Sequence, residues 1–187
     1  NGEDGSRETT TNSAAANKTI IGSIEPKVQG GLTNYVSWKF IDFNLTLTYS
    51  LGGHAYDYAT WLQSNGGTYH YLGNVPAYYK MEDTWQKTGD NAKLPQFAYG
   101  NANKASSRWL MSTDHLRVKN MTLGFTLPQS WSSKAGISKL RAYVSGNNLL
   151  TWKKKSLYVD PEVPVDGLCT FETPALRTVT FGLEIGF

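Results

Sequence analysis

Cysteine is almost missing. Cys169 is the only one in 187 residues, which excludes an internal disulfide and any metal site built on paired cysteines. No run of roughly 18 consecutive apolar residues occurs, so no transmembrane helix is expected. Charge of one sign is also scarce. Eighteen basic residues stand against 15 acidic ones, for a net charge of +3. No basic stripe with interleaved aromatics is present, so a nucleic-acid surface is excluded as the main role. The start, Asn1-Gly2-Glu3-Asp4, has neither a basic segment nor an apolar core, so no export signal is expected there.

Catalytic groupings are missing too. His54, His70 and His115 do not fall at metal-ligand spacings. No Ser/His/Asp-type arrangement is found. Asp160, Glu162, Asp166 and Glu172 gather in one segment without the ordered oxygen spacing of a calcium loop. The expectation is a non-enzyme without cofactor or metal.

What the chain has is aromatics and alternation. It carries 11 Tyr, 7 Phe, 6 Trp and 18 Gly. In the last nine residues Val179, Phe181, Leu183, Ile185 and Phe187 alternate with Thr180, Gly182, Glu184 and Gly186, the period-two pattern of a strand with one apolar and one polar face. Phe43, Leu45, Leu47, Tyr49 and Leu51 alternate in the same way with Asn44, Thr46, Thr48 and Ser50. Further strands are expected over 30–39, 114–127 and 139–149. Over 114–127, Leu116 and Val118 lie out of step with Met121, Leu123, Phe125 and Leu127, so a bulge near Asn120, or a strand rising above the bilayer, is expected. A short helix is expected over 57–63.

Connection lengths alternate as well. The turn near Phe40-Ile41-Asp42 is tight and 128–138 is modest, whereas 52–113 and 150–175 are long. Short turns at one end and long loops at the other are what a transmembrane β-barrel has. The fold class is therefore all-β: a partial transmembrane antiparallel β-barrel of five strands, with long extracellular loops. Residues 1–28 read as part of such a loop and 29–187 as the strands with their loops. In this arrangement Phe43, Leu45, Leu47, Tyr49, Val179, Phe181, Leu183 and Ile185 face lipid, and the C-terminus lies at the periplasmic side. Trp61, Tyr69, Tyr71, Trp85 and Trp109 in the longest loop are candidates for substrate or partner contact, set against the alternative that they pack the loop itself. The rival class is a soluble, aromatic-rich, carbohydrate-binding β-sandwich, which requires a polar outer face on every strand; 43–51 does not supply one.

Several segments carry a family resemblance. They are Ile21-Gly22-Ser23 through Pro26 with Gly30-Gly31; Asp83-Thr84-Trp85 followed by Asn91-Ala92-Lys93-Leu94-Pro95; the run from Leu116 to Pro128; Arg141 to Leu150; Asp160-Pro161-Glu162; and Pro174 to Phe187. In this order they resemble the C-terminal portion of the SusC/RagA-like TonB-dependent outer-membrane transporters of Bacteroidetes-type bacteria, across residues 20–187. The resemblance implies the last five strands of a barrel of about 22, with the plug and the remaining barrel supplied by other polypeptide. It implies nutrient import, of a glycan or an oligopeptide, with a SusD-like surface lipoprotein as partner. TonB would engage the plug, not this segment. It also implies a bacterial outer-membrane location, and Phe187 as part of the barrel-assembly signal.

Overall fold

The structure is a computed structural model describing residues 12, 14, 19–64, 75, 77, 79–98, 104–133, 136–154, 159–162 and 166–187. Its elements in chain order are β1 (Val28–Trp38), β2 (Ile41–Leu51), β3 (His54–Asp57), α1 (Tyr58–Gln63), β4 (Leu110–Ser112), β5 (His115–Thr126), α2 (Gln129–Ser132), β6 (Lys139–Lys153), β7 (Leu168–Cys169) and β8 (Thr178–Gly186), with 3-10 turns at Met81–Asp83 and Ser107–Trp109. The chain divides into two units, 1–22 with 56–110, and 23–55 with 111–187.

The second unit is built on one antiparallel sheet in the order β1-β2-β5-β6-β8. Register places Phe43, Leu123, Val144 and Phe181 in one row across four strands. The rows beside it hold Leu45, Met121, Gly146 and Val179, and Ile41, Phe125, Ala142 and Leu183. Every apolar parity read from the sequence thus converges on one face. That face is open: Phe181 is 81% exposed, Leu32 61%, Leu183 60% and Val179 59%. A sandwich would bury it against a second sheet, and water does not tolerate so large a contiguous apolar surface. Aromatics mark both ends of the face. Trp38, Phe40 and Phe125 stand at the hairpin end, Phe40 edge-on to Phe125 at 6.4 Å. At the long-loop end Leu116 lies between Tyr49 and Trp152. Such girdles suit the two interfaces of a bilayer.

The parity change in β5 has the expected cause. Its register against β2 slips between Leu47↔Val118 and Thr46↔Asn120, making Lys119 the extra residue of a bulge. Leu116 and Val118 thereby join the same face as Met121 and Leu123. β6 is longer than expected, running to Lys153 rather than 149. Asn148, at φ 52°, and Leu149 interrupt the alternation, which resumes with Leu150 opposite Val118. Leu149 folds over Gly146, where a Cβ would come within 2.6 Å of it. β1 and β2 join through Lys39 and Phe40, with Lys39 in the left-handed region at φ 53° and its Nζ 4.9 Å from the Trp38 ring centroid.

On the opposite face a carboxylate of β2 meets a guanidinium of β6 across the intervening β5. Arg141 Nε and Nη2 donate to Asp42 Oδ1 and Oδ2 at 2.9 and 2.6 Å, and Nη1 donates to Glu184 Oε1 of β8 at 2.8 Å. The crossing runs over Gly124, where a Cβ would sit 2.4 Å from Asp42 Oδ1 and 2.6 Å from Arg141 Nη2. Gly124→Ala is therefore expected to separate the pair and lower stability by about 1–2 kcal/mol. The same loss is expected from Asp42→Asn. The double variant should cost little more than either single one in a denaturant titration, because both remove one interaction.

In the first unit, α1 is capped by Asp57. Its Oδ1 accepts the Thr60 N–H at 3.0 Å and its Oδ2 the Thr60 hydroxyl at 2.7 Å. This satisfies orphan donors of the first turn. The helix begins one residue after the expected start because Asp57 is the cap.

Candidate functional site: a tiered polar face and a clasped loop

The polar face of the five-stranded sheet changes character along its length. At the hairpin end lies the ion network of Asp42, Arg141, Glu184 and Lys139, the last donating to Glu184 at 3.2 Å. The middle is uncharged. Asn120 Nδ2 donates to Asn147 Oδ1 at 2.9 Å and Ser145 Oγ at 3.2 Å. Thr122 Oγ1 stands 2.8 Å from Ser145 Oγ, and Asn147 Nδ2 donates to Thr178 Oγ1 at 3.3 Å. Thr33 and Thr46 extend this band toward β1 at 3.3 Å.

At the long-loop end charge returns. Arg117 is 1% exposed. Its Nη2 donates to Asp160 Oδ1 at 2.5 Å and its Nη1 to Glu162 Oε2 at 3.2 Å. Lys119, placed by the bulge, donates to both Glu162 oxygens at 3.0 Å. Asp160 closes the loop on itself: Oδ1 accepts the Glu162 N–H at 3.0 Å and Oδ2 the Ala175 N–H at 3.1 Å. Asn148 adds a bond to the Leu176 carbonyl at 3.1 Å. The segment between β6 and β8 is thus clasped onto the sheet by a guanidinium. Arg117 and Arg141 thus both pair with carboxylates. Among the described residues no group of three or more His, Cys, Asp and Glu is placed to hold a metal ion.

Burial works to raise the Asp160 carboxyl, but the N–H groups of Glu162 and Ala175 and the Arg117 guanidinium together hold it below the ordinary Asp value of 3.8. A carboxyl depressed in the folded state adds stability above its unfolded pKa, and that contribution is lost as pH falls through the folded one. The clasp is expected to stay closed at neutral pH and to open only on acidification below about 3.8. The check is the chemical shift of the Ala175 amide followed through an acid titration. Asp114 is likewise held low, first by the Gly52 N–H donating to its Oδ1 at 2.6 Å.

The aromatic candidates of the long loop separate into different roles. Trp109 is a correction: it is 5% exposed, its Nε1 donates to the Lys104 carbonyl at 3.3 Å and Arg108 lies 5.2 Å from its ring, so it packs the loop and offers no contact surface. Trp61 is half-buried and stacks on Tyr58 at 5.1 Å. Trp85 keeps 37% exposure while its backbone N–H donates to the Leu94 carbonyl at 3.0 Å. That bond, with Lys93 and Leu94 both donating to the Asp83 carbonyl, joins the two halves of the Asp83–Trp85 and Asn91–Pro95 motif. Tyr69, Tyr71 and His70 lie outside the described residues. Phe187, just after β8, is 94% exposed.

The clasp and the tiering were missed in the sequence. Arg117 and Asp160 stand 43 positions apart, and only the alternation that puts Arg117 on the polar face hints at its role.

No family model matches the chain. Over 195 aligned positions it is 31% identical to TonB-dependent receptor P3 of Formosa agariphila, covering 98% of this chain and 18% of that protein. It is 25% identical over 183 positions to TonB-dependent receptor P26 of the same organism, covering 90% of this chain and 18% of the relative. Among solved structures it resembles the RagAB peptide importer in its open-open state at a TM-score of 0.81 and 24% identity, covering 96% of this chain and 19% of that one. The closed-closed state matches at 0.80 and 25%, with the same coverage. The chain thus spans less than a fifth of the length of these relatives, which are receptors and importers. With the two-faced sheet, these similarities show the chain to be a partial β-barrel of the SusC/RagA-like TonB-dependent outer-membrane receptors.

Proposed function

We infer that this chain works as part of an outer-membrane nutrient importer, energised through TonB acting on a plug that other polypeptide supplies. The observation that carries this is one sheet with an exposed apolar face, a tiered polar face and two edges, β1 and β8, that are unpaired among the described residues. Open edges are not stable in hydrocarbon, so the reading requires further strands to complete a barrel. Phe43, Leu45, Leu47, Tyr49, Val179, Phe181, Leu183 and Ile185 then face lipid, and the polar face lines the lumen. The long loops lie outside the cell and the hairpin connections, with Phe187, on the periplasmic side. A SusD-like lipoprotein covers the loops, and Trp61 and Trp85 are the described aromatics left to contact it or the substrate. Resemblance to a peptide importer favours oligopeptides; a glycan is the alternative.

The test is uptake of labelled oligopeptides and oligosaccharides by cells carrying the complete transporter, with and without TonB. One series is expected to enter only when TonB is present, and a surface lipoprotein to co-purify. Entry that is indifferent to TonB defeats the reading.

A further inference from the structure

A cavity of about 750 Å³ opens at the long-loop end of the second unit. Its floor is the polar face of β2, with Thr48 and Ser50. β1 supplies Gln29, the head of β5 supplies His115, and the clasped loop closes one side with Pro161 and Glu162. Its composition differs from the charged networks elsewhere on this face. The Glu162 carboxylate is already matched by Arg117 and Lys119, so the polar groups left to a ligand are hydroxyl, amide and imidazole with the single carboxylate of Glu25, beside the apolar Ile24, Pro26 and Pro161.

Two of these are held ready without a partner. His115 is 8% exposed and its Nδ1 is 2.8 Å from the Thr113 carbonyl. A carbonyl only accepts, so Nδ1 carries the proton, and in the neutral ring Nε2 presents a lone pair. Nε2 has no hydrogen bond among the described residues. Thr48 Oγ1 is buried and also unpaired, as is Nε of Arg117, the residue directly across from Thr48 in the ladder. Buried polar atoms are ordinarily bonded, and exceptions call for a missing partner. Thr48 Oγ1, in the cavity lining, and Arg117 Nε, opposite it on the adjacent strand, form such an exception, and His115 Nε2 adds an unbonded acceptor in the same lining.

We propose that this cavity is a substrate subsite for an uncharged, multiply hydrogen-bonding chain, which Thr48 and His115 contact directly. The proposal rests on the import reading and narrows it. The chemistry recognised is hydroxyl or amide groups without net charge, presented by a neutral oligosaccharide or by the main chain of an oligopeptide. Arg117 acts as a positioning residue, since it holds the loop that forms one wall.

The experiment uses the complete transporter purified in detergent. Binding is titrated with two neutral series, unmodified oligosaccharides and end-capped uncharged oligopeptides, against wild type, Thr48→Val and His115→Leu. Thr48→Val keeps shape and removes the hydroxyl; His115→Gln replaces His115→Leu if the latter does not insert. Each substitution is expected to weaken one of the two series about fivefold to tenfold, as for one lost hydrogen bond, with outer-membrane levels unchanged. Which series responds identifies the source. Unchanged affinity in both variants overturns the subsite while leaving import intact. Wild type that imports only charged ligands and binds neither neutral series also overturns it. Wild type that imports nothing in a TonB-dependent way defeats the import reading itself.

Discussion

Arg117→Met is expected to free the segment between β6 and β8 while leaving the five-stranded sheet in place. The substitution keeps most of the side-chain volume and removes the guanidinium. Asp160 and Glu162 then lose their main cation in a partly dry site. Breaking a fully buried pair from one side costs about 3–5 kcal/mol. Here the carboxylates keep 20% and 36% side-chain exposure, so water recovers part of the loss and about 2 kcal/mol is the better figure. That corresponds to about thirtyfold faster exchange of the Glu162 and Ala175 amides. The amides of Leu123 and Val144, deep in the ladder, should exchange as before. Arg117→Lys should restore only part of the protection, because an ammonium cannot reach two carboxylates as the planar fork does. Uniform loss of protection across the sheet would mean that Arg117 supports the whole barrel section and not the loop.

Phe181→Arg is expected to abolish or sharply reduce outer-membrane insertion, while Thr180→Arg next to it is tolerated. The two residues are neighbours on β8 and point to opposite faces. Phe181 sits in the row with Phe43, Leu123 and Val144, in the middle of the proposed lipid face. An arginine at the midplane of a barrel's lipid face costs about 2–4 kcal/mol. Thr180 belongs to the uncharged polar band, where a cation meets water. The measurement is the heat-modifiable folded fraction in isolated outer membranes, compared for the two variants. Equal behaviour of the pair would remove the distinction between the faces on which the barrel rests. Leu123→Arg on β5 repeats the test away from the edge strand.

Much of the sheet was legible because one of its faces is apolar and the other polar. Alternation at 43–51 and 179–187 has a single physical cause, and register then carries it across the neighbouring strands. The slip at 116–121 was legible too, since only an extra residue restores Leu116 and Val118 to the apolar side. The interruption at Asn148 and Leu149 was not. A positive φ at an asparagine leaves little trace in hydropathy, and the strand was cut short there. The long loop yielded less. Its order comes from the Asp57 cap, the Asp83 carbonyl and the packing of Trp109, none of which has a period. The charge clasp was hidden for the same reason: its partners meet only after a loop has folded back on the strand that positions them.

The connections also bear on how such a chain can change over time. β1 and β2 are joined by two residues, Lys39 and Phe40, whereas β2 and β5 pair only after everything from 52 to 114 has been looped out. Closure entropy grows with the logarithm of loop length, so doubling that excursion costs only about 0.6 kcal/mol. The tight turn has no such latitude, because a residue added at Lys39-Phe40 shifts every side chain of one strand to the wrong face. Insertions and deletions are therefore cheap in the long excursion and ruinous at the two-residue turn. A lineage can rebuild the long excursion between β2 and β5 while the two-residue turn stays constant.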